Sequence, residues 1–83
     1  MITFEDAVKT AKEELPNASI CEEYKDLYVF DADSEDETDG GDEMPVIVLK
    51  STGKLMGYSV YAVKHPEKLG KDAFIKLITL DNE

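Results

Sequence analysis

The stretch Ala18-Ser19-Ile20-Cys21-Glu22-Glu23-Tyr24-Lys25-Asp26-Leu27-Tyr28-Val29-Phe30-Asp31 decides the fold. It reads as two strands, Ala18 to Tyr24 and Leu27 to Asp31, joined at Lys25-Asp26. Two strand-forming runs separated by two residues fit a tight hairpin, even though this turn lacks the glycine such turns prefer. Leu27-Tyr28-Val29-Phe30 is made of residues that suit a pleated, half-buried surface. A hairpin alone is marginal in water, so the flanking sequence must supply more strands and a cover.

The cover lies on the N-terminal side. Phe4, Ala7, Val8, Ala11 and Leu15 recur at helical spacing and form one apolar stripe, while Glu5, Lys9, Lys12 and Glu13 face away from it. Thr3 suits the N-cap and Asp6 stands at the capping-box position. Glu5 and Asp6 sit at the positive end of the helix dipole, and Pro16 stops the helix. These signals predict a helix over residues 3–15.

On the C-terminal side the hairpin runs straight into Asp31 through Glu43 (DADSEDETDGGDE), thirteen residues with eight carboxylates, two glycines and no base. Such a run cannot build a core and predicts a flexible acidic insert at 31–43. Met44-Pro45-Val46-Ile47-Val48-Leu49 then reads as a third strand, with Pro45 at its start because proline has no amide for the ladder. Ser51-Thr52-Gly53-Lys54 supplies a turn, and Leu55 to Val63 reads as a fourth strand of a sheet packed on one side. His65 to Gly70 resembles a short helical turn, with Pro66 in first position and Gly70 ending it. The run after it fits either a short helix at Asp72 to Thr79, the preferred assignment, or a closing strand. The predicted fold class is α+β: one domain over 1–83, an antiparallel sheet of about four strands covered by the N-terminal helix, with a short C-terminal helix or strand.

Charge narrows the function classes. Of 83 residues, 19 are acidic and 9 basic, giving a net charge of −10, and every base is a lysine. This balance repels phosphate backbones and argues against direct nucleic-acid binding. The lack of arginine also removes the bidentate fork that phosphate and carboxylate sites commonly use. A basic protein partner is the better expectation. The single cysteine precludes an intramolecular disulfide and gives no sign of an oxidising compartment. The N-terminal sequence lacks the features of a signal peptide and no apolar run reaches membrane-spanning length, so a cytoplasmic location with no membrane association is expected.

No catalytic constellation emerges, and the chain is expected to be no enzyme, with no cofactor and no metal centre. Asp31, Asp33 and Glu35 imitate the first ligands of a calcium loop. The imitation fails at Asp36, where the loop needs glycine, and at Asp42, where it needs a bidentate Glu. Cys21 and His65 are too few for a zinc site, and they read more simply as a half-buried strand thiol and a loop imidazole. Glu22 and Glu23 are neighbours along a strand, so they point to opposite faces and form no dyad. Tyr24, Tyr28, Tyr58 and Tyr61 read as core or sheet-surface residues, not as a stacking platform for bases.

The order of helix, hairpin, Leu27-Tyr28-Val29-Phe30, acidic loop and Pro45-Val46-Ile47-Val48-Leu49-Lys50-Ser51-Thr52-Gly53-Lys54 resembles small bacterial domains of the polymorphic-toxin immunity class over residues 3–56. The resemblance implies a toxin-neutralising binding protein with no catalytic residues to carry over. The residues of the acidic run lead to the same class of function. Asp31, Asp33, Glu35, Asp36, Glu37, Asp39, Asp42 and Glu43 would engage a basic groove that normally holds nucleic acid, as an immunity protein or a phage-encoded nuclease inhibitor would. The alternatives are a calcium-responsive domain and a housekeeping domain with an inert acidic loop. A monomer or an edge-paired dimer would fit a small sheet with two open edges.

Overall fold

The computed structural model describes residues 2–16, 18–32 and 45–80. In chain order the elements are α1 (Phe4–Glu14), β1 (Ile20–Tyr24), β2 (Leu27–Asp31), β3 (Val46–Leu49), β4 (Leu55–Gly57), α2 (Tyr58–Lys64), a 3-10 helix (Pro66–Leu69) and β5 (Phe74–Thr79). The strands form one sheet in the order β4-β3-β2-β1-β5, with every neighbouring pair antiparallel. The α+β class and the N-terminal helical cover are as the sequence implies. Among the described residues the sheet has five strands, the fifth being the C-terminal element for which the sequence left helix or strand open.

The capping box at the start of α1 is complete. The Asp6 amide donates to Thr3 Oγ1 at 3.1 Å, and the Thr3 amide donates to Asp6 Oδ2 at 3.5 Å. Ala7 and Ala11 are fully buried, and their small side chains let the helix lie close on the sheet. Phe4 reaches further, its ring 5.3 Å from Tyr28 in an edge-on contact and 6.5 Å from Phe30 in a stacked one.

The central hairpin forms in the register that a turn at Lys25-Asp26 requires, with Glu23 opposite Tyr28, Glu22 opposite Val29 and Cys21 opposite Phe30. Tyr28 and Phe30 therefore face α1, while Leu27 and Val29 join Ile47 on the other side. Four successive buried residues in β2, Leu27 through Phe30, are the mark of a strand covered on both faces. Gly53 closes the β3–β4 turn at φ +78°, where its missing Cβ would come 2.9 Å from Ile2 Cγ2.

Two assignments need correction. Leu55 to Val63 is not one strand: β4 ends at Gly57 and the chain coils into α2, which lays Tyr58 and Tyr61 against Leu27, Val29 and Ile47. The sheet is thus packed on both faces, with α1 on one and α2 plus the 3-10 helix on the other. The second correction concerns Asp72 to Thr79, where the structure has the closing strand in place of a short helix. β5 pairs with the outer edge of β1 and so satisfies backbone groups that a helix there would leave open. The two corrections are linked. β4 and β5 run in the same direction at opposite edges of the sheet, so the chain joining them must cross a face, and α1 already occupies one.

Candidate functional site at the foot of the acidic run

β2 and β3 are adjacent, with Phe30 paired to Val46, so the chain leaves the sheet at Asp31 and returns at Pro45 side by side. The acidic run is therefore tied at both ends to one end of the sheet. Of the eight carboxylates singled out in the sequence, Asp31 belongs to the described structure. Asp33, Glu35, Asp36, Glu37, Asp39, Asp42 and Glu43 lie outside the described residues. Asp31 is half-buried at the end of β2, where its Oδ1 accepts the Ala32 amide at 2.8 Å and its carbonyl accepts the Ser19 amide at 2.9 Å.

At this foot the sheet carries a cleft of about 230 Å³ lined by Glu22, Val29, Asp31, Pro45 and Tyr58. The strand period explains the lining: Val29 and Asp31 are two apart on β2, and Glu22 stands opposite Val29 on β1. Tyr58 begins α2, and its amide donates to the Pro45 carbonyl at 3.1 Å, which sets the ring beside the point where the run rejoins β3. Glu22 is oriented by the Tyr24 hydroxyl, which donates to its Oε1 at 3.0 Å. Burial, followed by this bond, pushes the Tyr24 pKa up to about 12, so the phenol stays a donor at neutral pH.

Glu22 and Asp31 are diagonal neighbours across β1 and β2, a relation that sets positions roughly 7–8 Å apart, too far for a shared-proton dyad. Two carboxylates above an apolar floor of Val29 and Pro45, with a phenol at the rim, suit a cationic head on an apolar stem. A lysine or arginine side chain has that shape.

The other sequence candidates are dispersed. Glu22 and Glu23 do point to opposite faces: Glu22 meets Tyr24, while Glu23 accepts Lys50 Nζ at 2.8 Å on the α1 side. Lys50 also lies over the Tyr28 ring, 5.0 Å from its centroid. Cys21 is fully buried beneath α1, more so than the half-buried thiol expected. His65 lies on the far face, its ring 4.8 Å from that of Tyr61, so the sheet separates the two. Among the described residues no group of three or more His, Cys, Asp or Glu could hold a metal. No helix among them is long and apolar enough to cross a membrane.

Sequence reasoning did not find the cleft. Glu22 could have been placed diagonal to Asp31 from the hairpin register, but assigning Tyr58 to a strand hid the third wall. Comparison of the chain with protein-family profiles, with curated proteins and with solved structures gives no match.

Proposed function

We propose that this is a non-enzymatic binding protein whose acidic end engages a basic protein surface. The observation that supports this reading most is the anchoring of the run between paired strands, at a rim that already holds Glu22 and Asp31 around a cleft. Asp31, Asp33, Glu35, Asp36, Glu37, Asp39, Asp42 and Glu43 provide long-range attraction, and the cleft takes one Lys or Arg side chain of the partner. In its sharpest form the partner is a nuclease or similar protein whose nucleic-acid groove is occupied by the carboxylates, as the resemblance to toxin-immunity proteins over residues 3–56 suggests.

Calorimetric titration with a short arginine-rich peptide tests the reading, comparing the native chain with one in which the eight acids are replaced by Asn and Gln. The native chain is expected to bind at low salt and to weaken as salt rises, and the neutralised chain to bind poorly with a flat salt response. A double substitution in the cleft, Glu22→Gln with Asp31→Asn, should weaken binding more than neutralising Asp36 and Glu37. Equal binding by the native and neutralised chains would sink the proposal, and an undamaged cleft variant would remove the cleft from it.

A further inference from the structure

α2 and the 3-10 helix cover their side of the sheet unevenly. α2 packs on β3 and β4, with Tyr58 and Tyr61 against Leu27, Val29 and Ile47. The 3-10 helix and Ala73 close over the turn end, where the Lys25 amide donates to the Ala73 carbonyl. At the other end of β1 and β5 the same side lies open. Leu77 pairs with Glu22 and Thr79 with Ile20, and Leu77 is 58% exposed. The register shift of this ladder falls at Glu23 and Tyr24, beyond these pairs. Cys21 faces α1, so Ile20 and Glu22 on either side of it, with their partners Thr79 and Leu77, share the side of the cleft. One cross-strand row therefore runs from Leu77 through Glu22 to Val29, from an open apolar shelf past a carboxylate to the cleft floor.

The charge around this row is of one sign. Glu22 and Asp31 are half-buried in the cleft wall, and no lysine is among the described residues that line it. Lys76, the one lysine within the five strands, pairs with Glu23 and faces the α1 side, where Lys50 also binds Glu23. Lys9 and Lys12 belong to α1 itself, on that same far side. Lys64 ends α2, away from Tyr58 and the cleft. Lys25, Lys54, Lys68 and Lys71 stand at the turn end, where Asp26, Glu67 and Asp72 balance them. The cleft end of the open side thus presents two carboxylates, the root of the acidic run and exposed apolar surface.

We infer that the partner segment taken by this site is a basic amphipathic helix. Its Lys or Arg head sits in the cleft between Glu22 and Asp31, and an aliphatic side chain one turn away rests on Leu77 and Ile20. The inference rests on the binding role proposed above and adds the apolar half of the contact. Directly paired residues such as Glu22 and Leu77 stand about 4.5–5.5 Å apart at Cβ, close to the roughly 5–6 Å between side chains one turn apart on a helix. The row crosses the strands, so an extended partner following it would leave its backbone groups without a ladder, whereas a helix satisfies its own.

Two alanine-based helical peptides of identical composition test this by calorimetric titration against the full chain. In one, leucines lie three or four residues from the arginines and share their face; in the other, the leucines are moved to the opposite face. The first should bind about tenfold tighter, the effect of half-burying one aliphatic side chain. Leu77→Thr keeps a strand-forming residue at an exposed position, so it should fold normally by circular dichroism. It should erase most of the preference while binding the second peptide as the native chain does. Val63→Thr, at an 81% exposed position on α2, should leave the preference intact. Equal binding of the two peptides by the native chain overturns the inference and leaves the acidic binding role standing, as does a preference that survives Leu77→Thr or is lost with Val63→Thr instead. A native chain that binds neither peptide at low salt overturns both.

Discussion

Cys21 makes the packing of the central hairpin measurable through pH. The residue is fully buried between β2, β5 and α1, and its thiol pKa is pushed from 9.0 up to about 12. Burial is the largest cause, Glu23 and Glu22 add to it, and Lys50 acts in the opposite direction. In the unfolded chain the thiol ionises through its ordinary range near pH 9, whereas in the folded chain it keeps its proton well above that. Between the two pKa values the native state holds one more proton than the unfolded state, so stability falls as pH rises. The limiting slope is about 1.4 kcal/mol per pH unit, and with the gradual onset near the lower pKa the loss between about pH 8 and pH 11 comes to about 2.6 kcal/mol. For a chain of this length total stability is of order 4–12 kcal/mol, so the effect is a large share.

Urea unfolding followed by far-ultraviolet circular dichroism at the two pH values would show it. With a denaturant slope near 1 kcal/mol per molar, the midpoint of the native chain should fall by about 2.6 M. Tyr24, whose hydroxyl pKa is also raised to about 12, contributes in the same direction at the alkaline end. Cys21→Ala should be less stable at pH 8 because it leaves a void, yet should lose distinctly less on going to pH 11. If the variant and the native chain lose stability in parallel, the thiol is not buried beneath α1 as described. The same protonated, inaccessible thiol should react with iodoacetamide only on unfolding, which is the reverse of a catalytic cysteine.

Other parts of the fold make sharper local predictions. Gly53→Ala should cost about 1–2 kcal/mol in urea unfolding, since it places a Cβ at a positive φ and 2.9 Å from Ile2. Thr3→Ala should cost about 1 kcal/mol by removing the acceptor for the Asp6 amide, and amide exchange should quicken in the first turn of α1 before anywhere else. Lys50→Met should cost about 2 kcal/mol because it strands Glu23, whose side chain is 18% exposed, and a double variant with Glu23→Gln should recover much of the loss.

The elements that were legible from sequence are those where local chemistry and tertiary packing agree. Thr3 and Asp6 announce the start of α1, Pro16 its end, and the two-residue spacing at Lys25-Asp26 fixes the hairpin register. At Tyr58-Ser59-Val60-Tyr61-Ala62-Val63 they disagree. Tyrosine and valine favour strands by composition, and only the packing of Tyr58 and Tyr61, three apart, onto Val29 and Ile47 makes that stretch a helix. Phe74 to Leu80 was ambiguous for the complementary reason. Its apolar spacing fits either period, and the deciding partner, the open edge of β1, lies some fifty residues earlier. The cleft depends on both segments being placed correctly, since Tyr58 reaches it only as the first residue of α2.

By length and charge, the acidic run is expected to cost the fold stability. Phe30 and Val46 are paired, and residues 31–45 form the fifteen-residue connection between them. Replacing residues 32–44 by Asn-Gly would shorten that connection by nearly two halvings, which in loop-closure terms is worth about 1 kcal/mol. Relief of repulsion among the carboxylates adds to it, most strongly at low salt. The shortened chain should therefore unfold at higher urea than the native one, with α1 and the sheet unchanged, while losing its affinity for the arginine-rich peptide. Such a result would mean that the run is kept at the expense of stability, as an interaction segment is. A shortened chain that is instead less stable would show that the run packs on the body of the protein, and the binding proposal would then have to be rebuilt from those contacts.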